Sequence, residues 1–376
     1  MATTSYRYLL ADLITNQILA ELPLTGVSFG QQLNAAGTMS GHLLLSGVNA
    51  AGLNVLNATI PGRTAIYIDR NGQLVWGGVL WQREYSSADQ LVKLTAREFL
   101  SYFERRRITD GTGTAYGALA YTGIDQLQIA QSLVSNAMGA AYGNIGLLYN
   151  QDPLSTATSG ITLSRVYYNY EVKTVFNAIS DLSKQINGFD FEISVYYDGG
   201  GNPAKSFNTY YPRSGVMYSA TNPSAPVFEL GGNIAEYNYL EDGSKAINQI
   251  YALGAGSNEG KLINIANDSV KLTAGWGLLE DQANYSDITD PTVLSGLATG
   301  QITAVSYPPI TLKIVAPPYV NPTFGSYEVG DEVRVRILDS FFPNGYDAIF
   351  RIIGLTVAPG EDGPERITLT VTTGTY

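Results

Sequence analysis

The chain has 376 residues, 45% of them hydrophobic and only 15% charged, which excludes an intrinsically disordered protein and leaves room for two or three cores. A net charge of -11 gives no basic footprint for stable nucleic-acid binding, and the lack of cysteine excludes disulfides and thiolate metal sites. No apolar run approaches the ~20 residues of a membrane-spanning helix, so no membrane segment is expected, and nothing marks the chain for export.

In chain order, residues 6–14 and 17–24 are apolar-rich runs around Thr15-Asn16 and predict a hairpin. A third run covers 37–45, and the small polar residues of 49–57 predict a loop. The stretch 62–95 carries the strongest β signal. Ile66 and Ile68 alternate with Tyr67 and Asp69, and Asn71-Gly72 suits the positive φ angles of a tight hairpin turn. The return run sets Leu74, Trp76, Gly78 and Leu80 against Val75, Gly77, Val79 and Trp81. Glycine weakens a strand, so Gly77-Gly78 predicts a bulge or a close backbone approach. Val92 and Leu94 share a face in the third run. Residues 95–107 then predict a helix bearing Phe99, Leu100 and Phe103, with Thr95 and Glu98 at capping-box spacing.

A glycine-rich break at 111–117 suggests a domain boundary near Asp110. Beyond it, 124–138 and 171–187 predict helices. The second is striped by Val172, Val175, Phe176, Ile179, Leu182 and Ile186, and Gly188 stops it. A strand over 189–197, a turn at 198–202 and a return strand over 207–211 make this middle region α+β, and 212–226 predicts a linker. From Val227 the chain is β again, with a short helix opened by Asp290-Pro291 and prolines at 308–309 and 317–318 before the last unit. There Val333, Val335 and Ile337 alternate with Glu332, Arg334 and Arg336, and Asn344-Gly345 sits in the turn. The return run contains Gly354, and Ile367, Leu369 and Val371 share the closing face. This repeats the grammar of 62–95 and predicts a duplicated β-domain, one copy at each end.

The ordered set GRTAIY, RNGQLVWGGVLWQREY, LTAREFLSYFERRRI, NGFDFEI, YPRSG, GGNI and SYEVGDEVRVRI resembles the tail hub, or minor tail, proteins of long-tailed actinobacterial phages. The resemblance covers most of the chain. It implies a mainly β fold with an α+β middle region, in which two tube-like β-barrel domains form a pseudo-sixfold ring as a trimer. The corresponding domains are 1–108, a first tube-like barrel with a terminal helix, 109–226, the α+β middle domain, and 227–376, a second barrel with a helical insertion near 290–303. The implied function is structural and non-enzymatic, without a cofactor. It is a hub in the virion at the tail tip, assembled in the host cytoplasm, that adapts a sixfold tail tube to a threefold tip and forms part of the DNA-ejection channel. Its partners are then its own copies in a homotrimer, a distal tail protein, a tape-measure protein and a central fibre or tip protein, while DNA passes the lumen unbound. Two alternatives are a receptor- or carbohydrate-binding tail protein, to which the 26 tyrosines point, and the distal tail protein itself, which forms hexameric rings.

Catalysis finds little material. His42 is the single histidine, and one histidine without cysteine cannot build the usual zinc site or, with no Gly-x-Ser-x-Gly elbow, a marked serine triad. Asp287 with Asp290, and Glu280 with Asp281, are acidic pairs better read as turns and caps. The turn at 198–202 lacks full calcium-loop spacing, and Gly111 to Gly117 misses the dinucleotide pattern. Arg105, Arg106 and Arg107 form the one basic cluster, which suits a solvated helix end. The resemblance adds a second role for these arginines, contact with a neighbouring subunit.

Overall fold

The computed structural model describes residues 4–45, 54–185, 187–218, 225–285, 288–305, 309–360 and 364–373. The chain divides into two units, Met1–Ala235 with Val315–Leu369, and Glu236–Ile314 with Thr370–Tyr376.

The first unit opens on the expected hairpin. β1 (Tyr6–Asp12) and β2 (Ile18–Glu21) join through a turn where Asn16 takes a φ of 60° and the Asp12 carboxylate accepts from the Ile14 and Thr15 amides. β3 (Thr25–Gln32), which no expected run covers, precedes β4 (Thr38–Leu44). Of the expected loop at 49–57, residues up to 53 lie outside the described residues, and α1 (Val55–Ala58) is one helical turn capped by Asn54. β5 (Thr64–Arg70), β6 (Gln73–Ser86) and β7 (Leu91–Glu98) form the expected meander, with φ 55° at Asn71 and 85° at Gly72. At Gly78 the close approach is real: a Cβ there would lie 2.2 Å from the Arg97 carbonyl oxygen and 2.7 Å from the Trp76 ring. Because backbone blocks that methyl, Gly78→Ala is expected to cost about 3 kcal/mol, read as a lowered urea midpoint.

β7 replaces most of the helix expected at 95–107. Thr95 pairs with Ser40 of β4 and with Gln82 of β6, so only α2 (Leu100–Phe103) is helical. Val92, Leu94 and Ala96 are buried at every second position, and that two-sided pairing outweighs a capping signal. The Glu98 carboxylate caps nothing; it accepts from the Gly37 amide at 2.6 Å.

In the middle region β8 (Ala118–Asp125) is a strand that the glycine-rich break had hidden. α3 (Gln126–Gly139) follows, its N-terminus capped by Asp125 on the Leu127 amide, and β9 (Leu147–Tyr149) and β10 (Thr162–Tyr168) come next. α4 (Val175–Ser183) is shorter than the expected 171–187. Thr174 caps it, Val172 stands before it at a φ of 49°, and Ile186 lies outside the described residues. β11 (Asp190–Tyr197) and β12 (Pro203–Tyr210) complete a three-stranded sheet with β9, while β8 pairs with β10. Leu127, Leu133 and Val134 of α3, Val175, Ile179 and Leu182 of α4, and Phe191 and Phe207 share one core with Leu9, Tyr67, Val79 and Phe99. The α+β region therefore rests on one face of the β1, β5 and β6 strands. Gly77 lets it come close, since a Cβ there would lie 2.7 Å from Val195 Cγ1. β13 (Val227–Glu229) ends this part of the unit.

The second unit contains β14 (Glu236–Glu241), β15 (Gln249–Leu253), β16 (Ile263–Asn267), α5 (Ser269–Thr273), β17 (Glu280–Asn284) and α6 (Pro291–Val305). β15 lies between antiparallel β16 and parallel β17, and Ile250 and Ala252 pack against Leu294, Ala298 and Ile302 of α6. α6 starts where the sequence predicts, Asp290 accepting from the Thr292 amide at 2.7 Å.

β18 (Ile310–Ala316) and β21 (Arg366–Thr372) run from one unit into the other, and β19 (Glu332–Ile337) and β20 (Tyr346–Ala358) belong to the first. β19, β20 and β21 are the second expected meander, although its turn is a longer loop in which Gly345 takes a φ of 82°.

The architecture corrects the expectation of two tube-like β-barrel domains forming a pseudo-sixfold ring as a trimer. Among the described residues no sheet closes into a barrel. The reason lies at β20. Gly354 pairs with Gln32 and Val357 with Phe29, so the C-terminal meander occupies the edge of β3 that N-terminal strands would need for closure. The sheet runs β21-β20-β3-β4-β7-β6-β5-β1-β2, with β19 also beside β20. It curls enough for Trp76 Nε1 to donate to the Gly30 carbonyl at 2.9 Å, and it stays open. The fold is mainly β with an α+β middle region, and the two meanders share one sheet.

Candidate assembly surface

An open sheet has two ends, and one of them is β2. Among the described residues β2 pairs as a strand with β1 alone, Leu9 opposite Glu21 and Leu10 opposite Ala20. Such an edge offers unpaired backbone N–H and C=O groups to another strand. Edges are usually blunted by charge or proline. β2 instead shows solvent Ile18 and Leu19, 41% and 44% exposed, next to exposed Ile14. Its one charged side chain, Glu21, is held by Arg7 at 2.8 Å.

The three arginines expected at an interface follow α2. Arg105 and Arg107 are exposed; the Arg105 guanidinium lies 5.8 Å from the centre of the Trp81 ring, and Arg107 Nη1 donates to the Glu104 carbonyl at 3.2 Å. Arg106 turns inward. Its Nη2 donates to the Ala137 carbonyl at 2.7 Å and its Nη1 to the Tyr102 hydroxyl at 3.1 Å.

The other polar candidates are spent locally. His42 is half-buried on β4 opposite Lys93. Glu280 accepts from Gln249 Nε2 and the Tyr251 hydroxyl, both at 2.8 Å, and Asp287 lies outside the described residues. Asp198 Oδ1 accepts from the Gly200 and Asn202 amides. In the 111–117 loop, the Thr112 amide and Asn169 Nδ2 both donate to Asp110 Oδ1. Among the described residues no group of three or more His, Cys, Asp or Glu side chains is placed to hold a metal ion, and no helix is long and apolar enough to cross a membrane. Among the tyrosines that point to carbohydrate binding, the cluster at 167–170 is divided: Tyr167 is buried, while Tyr168 and Tyr170 are exposed and stack at 5.1 Å.

Two inner clusters have no counterpart among the sequence candidates. A cavity of about 20 Å³, room for one water, is lined by Asn34, Glu98, Glu192, Tyr210 and Ser214, among others. Burial pushes the Glu98 carboxyl up to about 8, reinforced by Glu192 and opposed by the Gly37 amide. Burial also lifts Glu192 to about 7, against the Tyr210 hydroxyl that donates to it at 2.7 Å and with Glu328, Asp152 and Asp190 adding negative charge. Beside them the Asp190 carboxylate takes hydrogen bonds from Asn34 Nδ2 at 2.7 Å, the Ser214 amide at 2.8 Å and the Arg351 guanidinium.

Over nearly its whole length the chain superposes on solved tail proteins. With the tail protein from Neisseria meningitidis MC58 it shares 13% identity at a TM-score of 0.61, covering 97% of this chain and 96% of that one. With the 43 kDa tail protein of prophage MuSo2 from Shewanella oneidensis the identity is again 13% and the TM-score 0.61, over 98% of both chains. The chain has a phage tail-protein fold. The prophage tail protein gp18 from Listeria monocytogenes EGD-e shares it at 14% identity and a TM-score of 0.52, covering 97% of this chain and 94% of that one. At these identities the likeness is one of fold. No protein-family model matches the sequence, and no curated protein does. Within this tail-protein fold the β2 edge is where a further strand would find free backbone partners.

Proposed function

We propose that the chain is a structural protein of a phage-type tail, placed at the tail tip as a hub. The observation that carries this is the correspondence with a solved tail protein over 97% of the chain. On this reading the copies associate as a homotrimer, with the β2 edge and exposed Arg105 and Arg107 at the subunit contacts. The trimer adapts a sixfold tail tube to a threefold tip and lines part of the ejection channel. Its neighbours are a distal tail protein, the tape-measure protein and a central fibre or tip protein. The net charge of -11 suits a passage that DNA transits without binding.

Light scattering behind size exclusion, with negative-stain images of the peak, tests the assembly. A trimer is expected. A hexamer would move the assignment to the distal tail protein, and a monomer with saturable sugar binding would move it to a carbohydrate-binding tail protein. The double charge reversal Arg105→Glu with Arg107→Glu is expected to weaken trimerisation by about tenfold, roughly 1.4 kcal/mol. Arg106→Glu is expected to lower thermal stability instead, since it leaves the Ala137 carbonyl without its donor.

A further inference from the structure

Lys205 on β12 lies in the core at 0% exposure. A lysine this deep is normally paired with a carboxylate. Lys205 is not so placed among the described residues: its Nζ lies 3.1 Å from Asn16 Oδ1, 3.2 Å from the Tyr67 hydroxyl and 5.0 Å from the centre of the Phe99 ring. Burial alone acts on its amine and pulls it down to about 8, so a share of it is neutral near pH 7.

Tyr67, itself fully buried, closes a triangle. Its hydroxyl donates to Asn16 Oδ1 at 2.6 Å and accepts from Lys205 Nζ. The far end of the Asn16 carboxamide is fixed as well, Nδ2 donating to the Pro203 carbonyl. An amine, a polarised carboxamide and a proton relay between them are thus held together in an aromatic pocket.

We propose that Lys205 and Asn16 condense into an intramolecular isopeptide cross-link, with Tyr67 as the catalytic residue. The neutral Lys205 Nζ adds through its lone pair to Asn16 Cγ. As that bond forms, a proton passes from Nζ to the Tyr67 oxygen and the Tyr67 proton passes to Oδ1, giving a neutral tetrahedral adduct. The adduct collapses when its hydroxyl proton moves to Nδ2, the bond from Cγ to Nδ2 breaks and the carbonyl re-forms. The balance is amine plus primary carboxamide to secondary amide plus ammonia, with no oxidant, reductant or cofactor. Fixed geometry supplies the effective concentration that free amines and amides lack. The product also replaces a buried cation by a neutral amide, which removes a group that a core holds only at a cost. The link joins the β1–β2 turn to the middle region across a long stretch of chain.

The intact mass of the denatured full-length chain decides. The expected mass is short by one ammonia, and a digest contains a branched peptide in which the Asn16 segment is joined to the Lys205 segment. Lys205→Met and Asn16→Ala are each expected to restore the full mass. Tyr67→Phe, which keeps the ring, is expected to slow cross-linking on the order of 100-fold, the lower range for a positioned acid–base group. A wild-type chain that keeps its full mass after prolonged incubation folded at pH 8 overturns the proposal and leaves Lys205 a hydrogen-bonded structural lysine. A missing ammonia without the branched peptide overturns it too, since ammonia then left elsewhere. Both of these outcomes are read on the wild-type chain, so neither depends on a variant folding.

Discussion

Lowering the pH from 8 to 5 is expected to raise the unfolding free energy by about 3 kcal/mol. Glu98 is pushed up to about 8 and Glu192 to about 7, against an ordinary 4.5, and burial is the main cause for both. Between those limits the folded chain keeps protons that the unfolded chain has released. The contribution is therefore fully present below pH 4.5 and is lost as pH rises through 7 and 8. Each pH unit that separates the folded from the unfolded titration contributes about 1.4 kcal/mol. Both residues are half-buried with the cavity beside them, so screening trims the sum. The groups around them are Glu328, itself pushed up by burial, with Asp152, Asp190, Arg351 and the Tyr210 hydroxyl. A limit at the acid end comes from Asp12, held below its ordinary value by the Thr15 amide, and Asp347, held down by Arg334. Their share is lost as pH falls below about 4, so stability should peak near pH 5. Urea midpoints across pH 4 to 8 measure this. The double variant Glu98→Gln with Glu192→Gln should flatten the slope above pH 5; an unchanged slope would place the titration elsewhere.

What could be read from the sequence follows from how local each signal is. Asn71-Gly72 fixes its turn with two residues, and alternation at Ile66 and Ile68 or at Val333 and Val335 needs only a strand's own period. α6 announces itself by its aspartate cap at Asp290, and α3 by a periodic apolar face, while the Asp125 cap of α3 emerges only in the structure. Thr95 and Glu98 show the limit: their spacing fits a capping box, yet pairing with β4 and β6 on both sides decides the conformation. Lys205, Ser206, Asn208 and Thr209 are all buried on β12, where polarity gives no hint of depth, because their partners come from distant segments such as Asn16 and Asn150. Closure of the sheet is the least local property of all. Both meanders are visible in the sequence, but whether each closes on itself depends on β20 reaching β3, a pairing between opposite ends of the chain.

That pairing is backed by a buried ion pair, whose loss tests the architecture directly. Arg351→Met is expected to destabilise the chain by about 3–5 kcal/mol, the usual cost of breaking a buried ion pair from one side. Arg351 stands on β20 and is 6% exposed. Its Nε donates to the Gly330 carbonyl at 3.1 Å, and its Nη2 donates to Asp190 Oδ2 and to the Ser214 carbonyl. Asp190 opens β11, and Asn34, just after β3, donates to its other oxygen while accepting from the Phe191 amide at 2.8 Å. One guanidinium thus ties the C-terminal meander to the middle region, and through Asp190 and Asn34 to the N-terminal strands. Asp190→Asn should cost a similar amount. The double variant should cost clearly less than the two single costs together, because each single change strands the other partner's buried groups. The exposed pair Arg334–Asp347 is the control: at 2.6 Å its geometry is as close, yet at 34% and 44% exposure solvent screens it, and Arg334→Met is expected to leave the urea midpoint nearly unchanged. Equal urea midpoints for Arg351→Met and Arg334→Met would mean that the shared sheet alone holds the two ends of the chain together. A large gap would mean that the buried node, rather than strand pairing alone, keeps β20 on β3 and the sheet open.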